Sequence, residues 1–164
     1  MEYAPYNPVL ATQLRIRKAF VAIREGKNDK TPFSVGRVEQ RMTNWARENG
    51  IAIGSQSLYM SVFSIKHATR EEKRRLGLAV SQRDLEEFPI RRHGMDLFFD
   101  TNDVPNEGKR FVYVDRERRA KYIINPAYET GIIRGGKVKV VAFLTAEKMN
   151  ENEVIEPNRR YIKI

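Results

Sequence analysis

The sequence predicts an α+β fold, with N-terminal helices followed by a four- to five-stranded antiparallel sheet, on three observations. Up to about Pro89 the apolar residues recur mainly at helical spacing. Beyond Pro89 the pattern changes to short runs rich in β-branched and aromatic residues. Turn-forming residues separate those runs at 102–108, 116–119, Asn125 with Pro126, and Gly135 with Gly136.

Taken in order, Leu10, Leu14, Ile16, Ala19, Phe20 and Ile23 make a first helix over 8–25, stopped by Gly26. Ser34 is a good N-cap for a second helix, whose stripe is Val35, Val38, Met42, Trp45 and Ala46, closed by Gly50. Residues 51–59 show no clear period, and a short strand is expected at 58–60. Ser61 caps a third helix running through a basic cluster to Leu76, ended by Gly77. Ser81 with Asp84 three residues on resembles a capping box for a short fourth helix that stops at Pro89. The strands are expected at 95–100, 110–115, 121–125, 137–144 and 160–164. This order divides the chain into a helical N-terminal extension, 1–56, and an α+β domain, 57–164.

At 164 residues the chain is sized for one domain or one domain with an appendage. Seven tyrosines, eight phenylalanines and 41% hydrophobic residues can build a core, so the chain is not wholly disordered. With no cysteine there is no disulfide, no thiolate metal site and no thiol nucleophile. The uncharged stretch 50–65 is broken by Gly54, Ser55, Gln56 and Ser57, so no membrane span is expected. The first eight residues lack the basic lead and apolar run of a signal peptide.

Thirty Lys and Arg against 21 Asp and Glu give a formal charge of +9. The excess is concentrated before residue 95, which suggests a basic face. Lys66, Arg70, Lys73, Arg74 and Arg75 form the densest run, and Arg91 and Arg92 stand beside His93. Such clusters attract phosphates, so RNA or another nucleic acid is the expected partner. Lys66, Lys73, Arg74, Arg91, Arg92 and His93 are the candidate binding residues. The alternative for any such run is a solvated helix face with internal ion pairs, such as Glu71 with Arg75.

No P-loop, dinucleotide glycine motif, zinc-binding histidine helix or nucleophile elbow is present. Asp96, Asp100 and Asp103 do not reproduce a calcium loop; a one- or two-magnesium nuclease site is the lesser alternative for them, and no metal site and no cofactor is assigned. Both histidines lie inside the basic clusters. On the third helix His67, Arg70 and Glu71 share one face. A metal-independent ribonuclease needs a base for the 2′-hydroxyl proton, an acid for the leaving 5′-oxygen, and cations for the charge on the phosphoryl oxygens. His67 suits proton transfer, and Arg70 and Lys66 suit phosphoryl binding.

From Leu58 onward the runs LYMSVFSIKHATREEKRRLGLAVSQRDLEEFP, MDLFFD, RFVYVDRERRAKYIINP, KVKVVAFLTAEKM and NRRYIKI follow one another. This order resembles the phage-associated nuclease toxins of the barnase–EndoU–colicin–RelE group over about two thirds of the chain. The resemblance implies a nuclease-like domain over 57–164 and a toxin or effector that cleaves RNA without metal. It places the helix histidine at His67, its basic neighbour at Arg70, a late-strand hydroxyl at Thr145 and a terminal tyrosine at Tyr161. It implies a bacterial cytoplasmic location, or packaging in a virion, with a cognate inhibitor or virion proteins as further partners. It assigns no second proton-transfer residue, and residues 1–57 lie outside it. A non-catalytic nucleic-acid-binding, virion or anti-defence protein that keeps the fold is the alternative, since phosphate contacts need charge alone.

Overall fold

The computed structural model describes residues 7–104, 108–130 and 136–164. The turn expected at 102–108, the Gly135–Gly136 turn and the chain start fall partly outside these residues, as does the side chain of Asp103. The element order is α1 (Pro8–Arg24), β1 (Phe33–Arg37), α2 (Gln40–Glu48), β2 (Ser57–Met60), α3 (Val62–Ala68), α4 (Glu71–Arg75) and α5 (Gln82–Arg91). A 3₁₀ turn (Arg92–Gly94) leads to β3 (Asp96–Val104), β4 (Gly108–Asp115), β5 (Ala120–Thr130), β6 (Val138–Lys148) and β7 (Tyr161–Lys163).

The fold is α+β, and its strands form one mixed sheet in the order β1-β2-β6-β5-β4-β3-β7. The β2–β6 pair is parallel, and every other neighbouring pair is antiparallel. The sheet is wider than expected because two strands precede the helices that lead into the late strands. Ser34 is not a helix cap: Phe33 and Ser34 pair with Met60 and Tyr59, and Val35 is buried in the core. Gly36 explains the difference, since its φ of +126° suits no helix. The second helix therefore starts at Gln40, keeping only Met42, Trp45 and Ala46 of the expected stripe. Within the segment read as a helical extension, 1–56, residues 33–37 thus join the sheet, and Ile16, Ala19, Met42 and Ala46 lie in the main core.

That core fills the space between one sheet face and the helices. Phe88 of α5 stacks on Tyr122 at 4.2 Å between centroids, and Trp45 of α2 meets Phe99 at 4.8 Å. The capping box at Ser81 and Asp84 forms as expected. Helix α5 does not stop at Pro89, however. The proline sits in the last turn with a helical φ, costs one backbone hydrogen bond, and is buried. On the opposite sheet face a smaller cluster of Phe98, Val112, Val114, Met149, Ile155 and Tyr161 is packed together.

Two irregularities shape that second face. Strand β5 runs past Asn125 and Pro126, where a turn was expected, because a register shift between Asn125 and Tyr128 accommodates the proline. In β6, Thr145 pairs with Ile123 while Phe143 pairs with Ile124, so Leu144 is an extra residue. The bulge resets the alternation: Phe143 and Ala146 both enter the main core, and Thr145 turns with Ile123 toward the second face.

Candidate functional site

Helix α3 begins where Ser61 and Ser64 cap each other, each side chain accepting the other's backbone N–H at 3.0–3.1 Å. Ile65 and Ala68 anchor it in the core, which leaves Phe63 and His67, four apart, on a common outer face. The helix expected to reach Leu76 is broken instead. It ends at Ala68, Arg70 is extended (φ −60°, ψ 153°), and α4 restarts at Glu71. The break lets Lys73 turn inward, and the Leu78 carbonyl accepts from the Lys148 N–H at 2.7 Å, covering the part of β6 that β2 does not reach.

His67 and Thr145 line the same open groove, about 590 Å³, with Phe63, Arg110, Asn125 and Tyr128 among its walls. Arg70 remains beside His67 despite the break, its Nη1 3.2 Å from Nδ1 and 3.3 Å from Nε2. Lys73 Nζ donates to Thr145 Oγ1 at 2.6 Å and to the Ala146 carbonyl at 3.1 Å. Burial, then the Arg70 and Lys73 charges, hold the His67 imidazole below its ordinary 6.5. No carboxylate pairs with it among the described residues, so the ring is neutral at pH 7, and Arg70, which can only donate, stands at its proton-accepting nitrogen. Burial also lowers Lys73 from 10.5, opposed by Glu147 and reinforced by Arg70 and Lys121.

No family model, curated protein or solved structure matches this chain. The family likeness read from the sequence therefore gains no support from known proteins.

The other candidates divide by what holds them. Lys66 and Arg74 are exposed and carry no ion pair among the described residues, so their charge is available to a polyanion. Arg91, Arg92 and His93 are otherwise engaged. Arg91 grips the buried Asp115 through Nε and Nη2 at 2.8–3.1 Å. Arg92 is 2% exposed and donates to the carbonyls of Pro89 and Arg37. His93 lies 3.3 Å from Glu39, which also accepts the Tyr113 hydroxyl at 2.6 Å. These three residues thus tie the end of α5 to its surroundings and do not face the groove.

Tyr161 is not brought to the groove either. It lies on β7 at the far end of the sheet, four strand spacings from β6, or roughly 19 Å. It is buried against Phe98, with Arg160 over its ring. Sequence reasoning missed Phe63, Arg110, Asn125 and Tyr128 as groove residues. The i, i+4 spacing of Phe63 and His67 was available as a signal, whereas the three strand residues depend on register and on the β5 irregularity.

Among the described residues, no three His, Asp or Glu side chains gather as a metal ion would need. No helix among them is long and apolar enough to cross a membrane.

Proposed function

We propose that this chain binds RNA along the groove and the exposed cations of α3 and α4, and cleaves it without metal by 2′-hydroxyl transesterification. The observation that carries this reading is a neutral imidazole at the groove wall, held by a guanidinium and lacking any carboxylate partner among the described residues. Arg70 turns from the ring to the phosphate, and His67 takes the 2′-hydroxyl proton on the nitrogen so released as the 2′-oxygen attacks phosphorus. The P–O5′ bond breaks, the departing 5′-oxygen takes a proton from water, and a 2′,3′-cyclic phosphate remains. Arg70 and Thr145 face the charge on the phosphoryl oxygens. The resemblance to phage nuclease toxins adds a toxin or effector role in a bacterial cell, which growth arrest on expression would test.

The direct test is incubation with total RNA in EDTA. Fragments ending in 2′,3′-cyclic phosphate are expected, and activity that disappears with the chelator rejects the mechanism.

A second reading, nucleic-acid binding without turnover, draws on the position of Tyr161 and on the absence, among the described residues, of a second proton-transfer partner beside His67. Glu129, the carboxylate in the groove wall, pairs with Lys139 while Ile123 pairs with Thr145, which puts it roughly 20 Å along the sheet from Thr145. This reading expects salt-sensitive binding and no cleavage at any pH between about 5 and 9.

A further inference from the structure

Lys73 is a buried cation with no carboxylate in contact with it among the described residues. Its residue is 5% exposed, yet its polar contacts are a hydroxyl and a carbonyl, and no carboxylate lies within 4.0 Å among the described residues. A buried ammonium in this state is costly unless another negative charge completes its surroundings. Glu147 is the carboxylate whose charge reaches it, but Glu147 lies 3.9 Å from Lys121.

The direction of the hydrogen bond says where the missing charge belongs. Thr145 Oγ1 accepts from Lys73, so the hydroxyl's own proton points elsewhere, and the described residues offer it no acceptor. Thr145 lines the groove, as does His67, and Arg70 contacts the His67 ring. An anion at the Thr145 hydroxyl would therefore meet a donor polarised by the ammonium behind it, with a guanidinium nearby. A tetrahedral oxyanion has enough acceptor oxygens to engage both.

We propose that Lys73 and Thr145 form a phosphoryl-binding subsite of the groove, in which Lys73 supplies the charge from behind and Thr145 supplies the hydrogen bond that touches the anion. For the identity of its natural ligand the subsite rests on the RNA reading, where it holds one backbone phosphate. The subsite itself can be tested without RNA and without turnover.

Two probes serve: inorganic phosphate, and a 2′-deoxy dinucleoside monophosphate that cannot transesterify. Each is titrated against the full chain while NMR follows the Lys73 ammonium and the Thr145 amide, at constant ionic strength kept with chloride. Both signals are expected to move at one affinity. Thr145→Val is expected to weaken that affinity at least tenfold, and Thr145→Ser to restore it. Lys73→Met is expected to fold as stably as the unmodified chain while losing the phosphate-dependent rise in Tm, because it removes an uncompensated buried charge. If Lys73→Met does not fold, the Val and Ser variants decide the matter alone. Binding of the diester supports a nucleic-acid backbone as the source. Binding of inorganic phosphate alone keeps the subsite and removes RNA as its ligand. Absence of binding by both probes, or equal affinity in Thr145→Val, overturns the proposal. RNA cleavage that persists in a protein blind to phosphate removes the subsite and leaves the ribonuclease reading standing.

Discussion

Arg70 Nη1 straddles the two ring nitrogens of His67, 3.2 Å from one and 3.3 Å from the other, across a break between two helices. The guanidinium cannot be deprotonated, so a protonated ring would carry its charge in contact with a second positive charge. Burial of the ring, and then the Arg70 and Lys73 charges that the backbone path from Ala68 to Glu71 brings near it, favour neutral His67 at pH 7.

The acidic limb of kcat/KM is accordingly expected to have its midpoint below 6.5, the ordinary imidazole value. Arg70→Gln removes one cause of the depression and should raise the His67 midpoint, read by NMR titration of the free protein. The linkage has a definite sign. The unfolded chain takes up this proton first as pH falls through 6.5, so the folded state loses stability from there down to the folded midpoint. A midpoint at or above 6.5 in the unmodified protein would contradict the geometry.

The basic residues should separate into two groups under mutation. Arg91→Ala strips the buried Asp115 of its guanidinium and leaves it the Arg118 N–H at 3.1 Å, a loss of about 2–3 kcal/mol by urea denaturation. Lys66→Ala and Arg74→Ala should change stability by less than about 0.5 kcal/mol. Each should instead reduce the salt dependence of single-stranded RNA binding, by roughly 0.7 in the log–log slope. Equal effects of all three on binding would mean that Arg91 also faces the nucleic acid.

Gly54 governs how the N-terminal part of the chain meets the sheet. A Cβ there would stand 2.7 Å from the Lys139 carbonyl carbon and 2.9 Å from the Val140 nitrogen, both backbone atoms that cannot step aside cheaply. The neighbouring contacts, Gly54 N–H to the Pro126 carbonyl and Val141 N–H to Ser55 Oγ, hold this crossing together. Gly54→Ala is expected to destabilise the protein by about 1–3 kcal/mol, read as a lower urea midpoint. No change in that midpoint would show that the crossing is looser than described.

Much of this architecture is written locally. The apolar spacing in α1, the serine caps of α3 and α5, and the β-branched runs of the late strands each act over a few residues, and each can be read from the chain. What escaped the sequence depends on partners far away. Phe33 to Arg37 become a strand because Ser57 to Met60 lie beside them, and Gly36 alone hints at it. Thr145 reaches the groove through the extra residue at Leu144, which strict alternation hides. Lys73 looks like one more surface cation in a charge run, and only the break at Arg70 turns it inward to a residue 72 positions away. Arg91, Arg92 and His93 read as a binding cluster because Asp115, the Arg37 carbonyl and Glu39, which hold them, are distant in sequence.

The central claim is that His67 moves a proton and contributes little to affinity. It is tested most directly by measuring single-turnover RNA cleavage and RNA binding side by side for the unmodified chain and His67→Ala, in EDTA at pH 7. Cleavage is expected to fall by about 10²–10⁴-fold while Kd stays within about threefold. Cleavage that survives in His67→Ala, or that falls only in step with binding, would contradict the account.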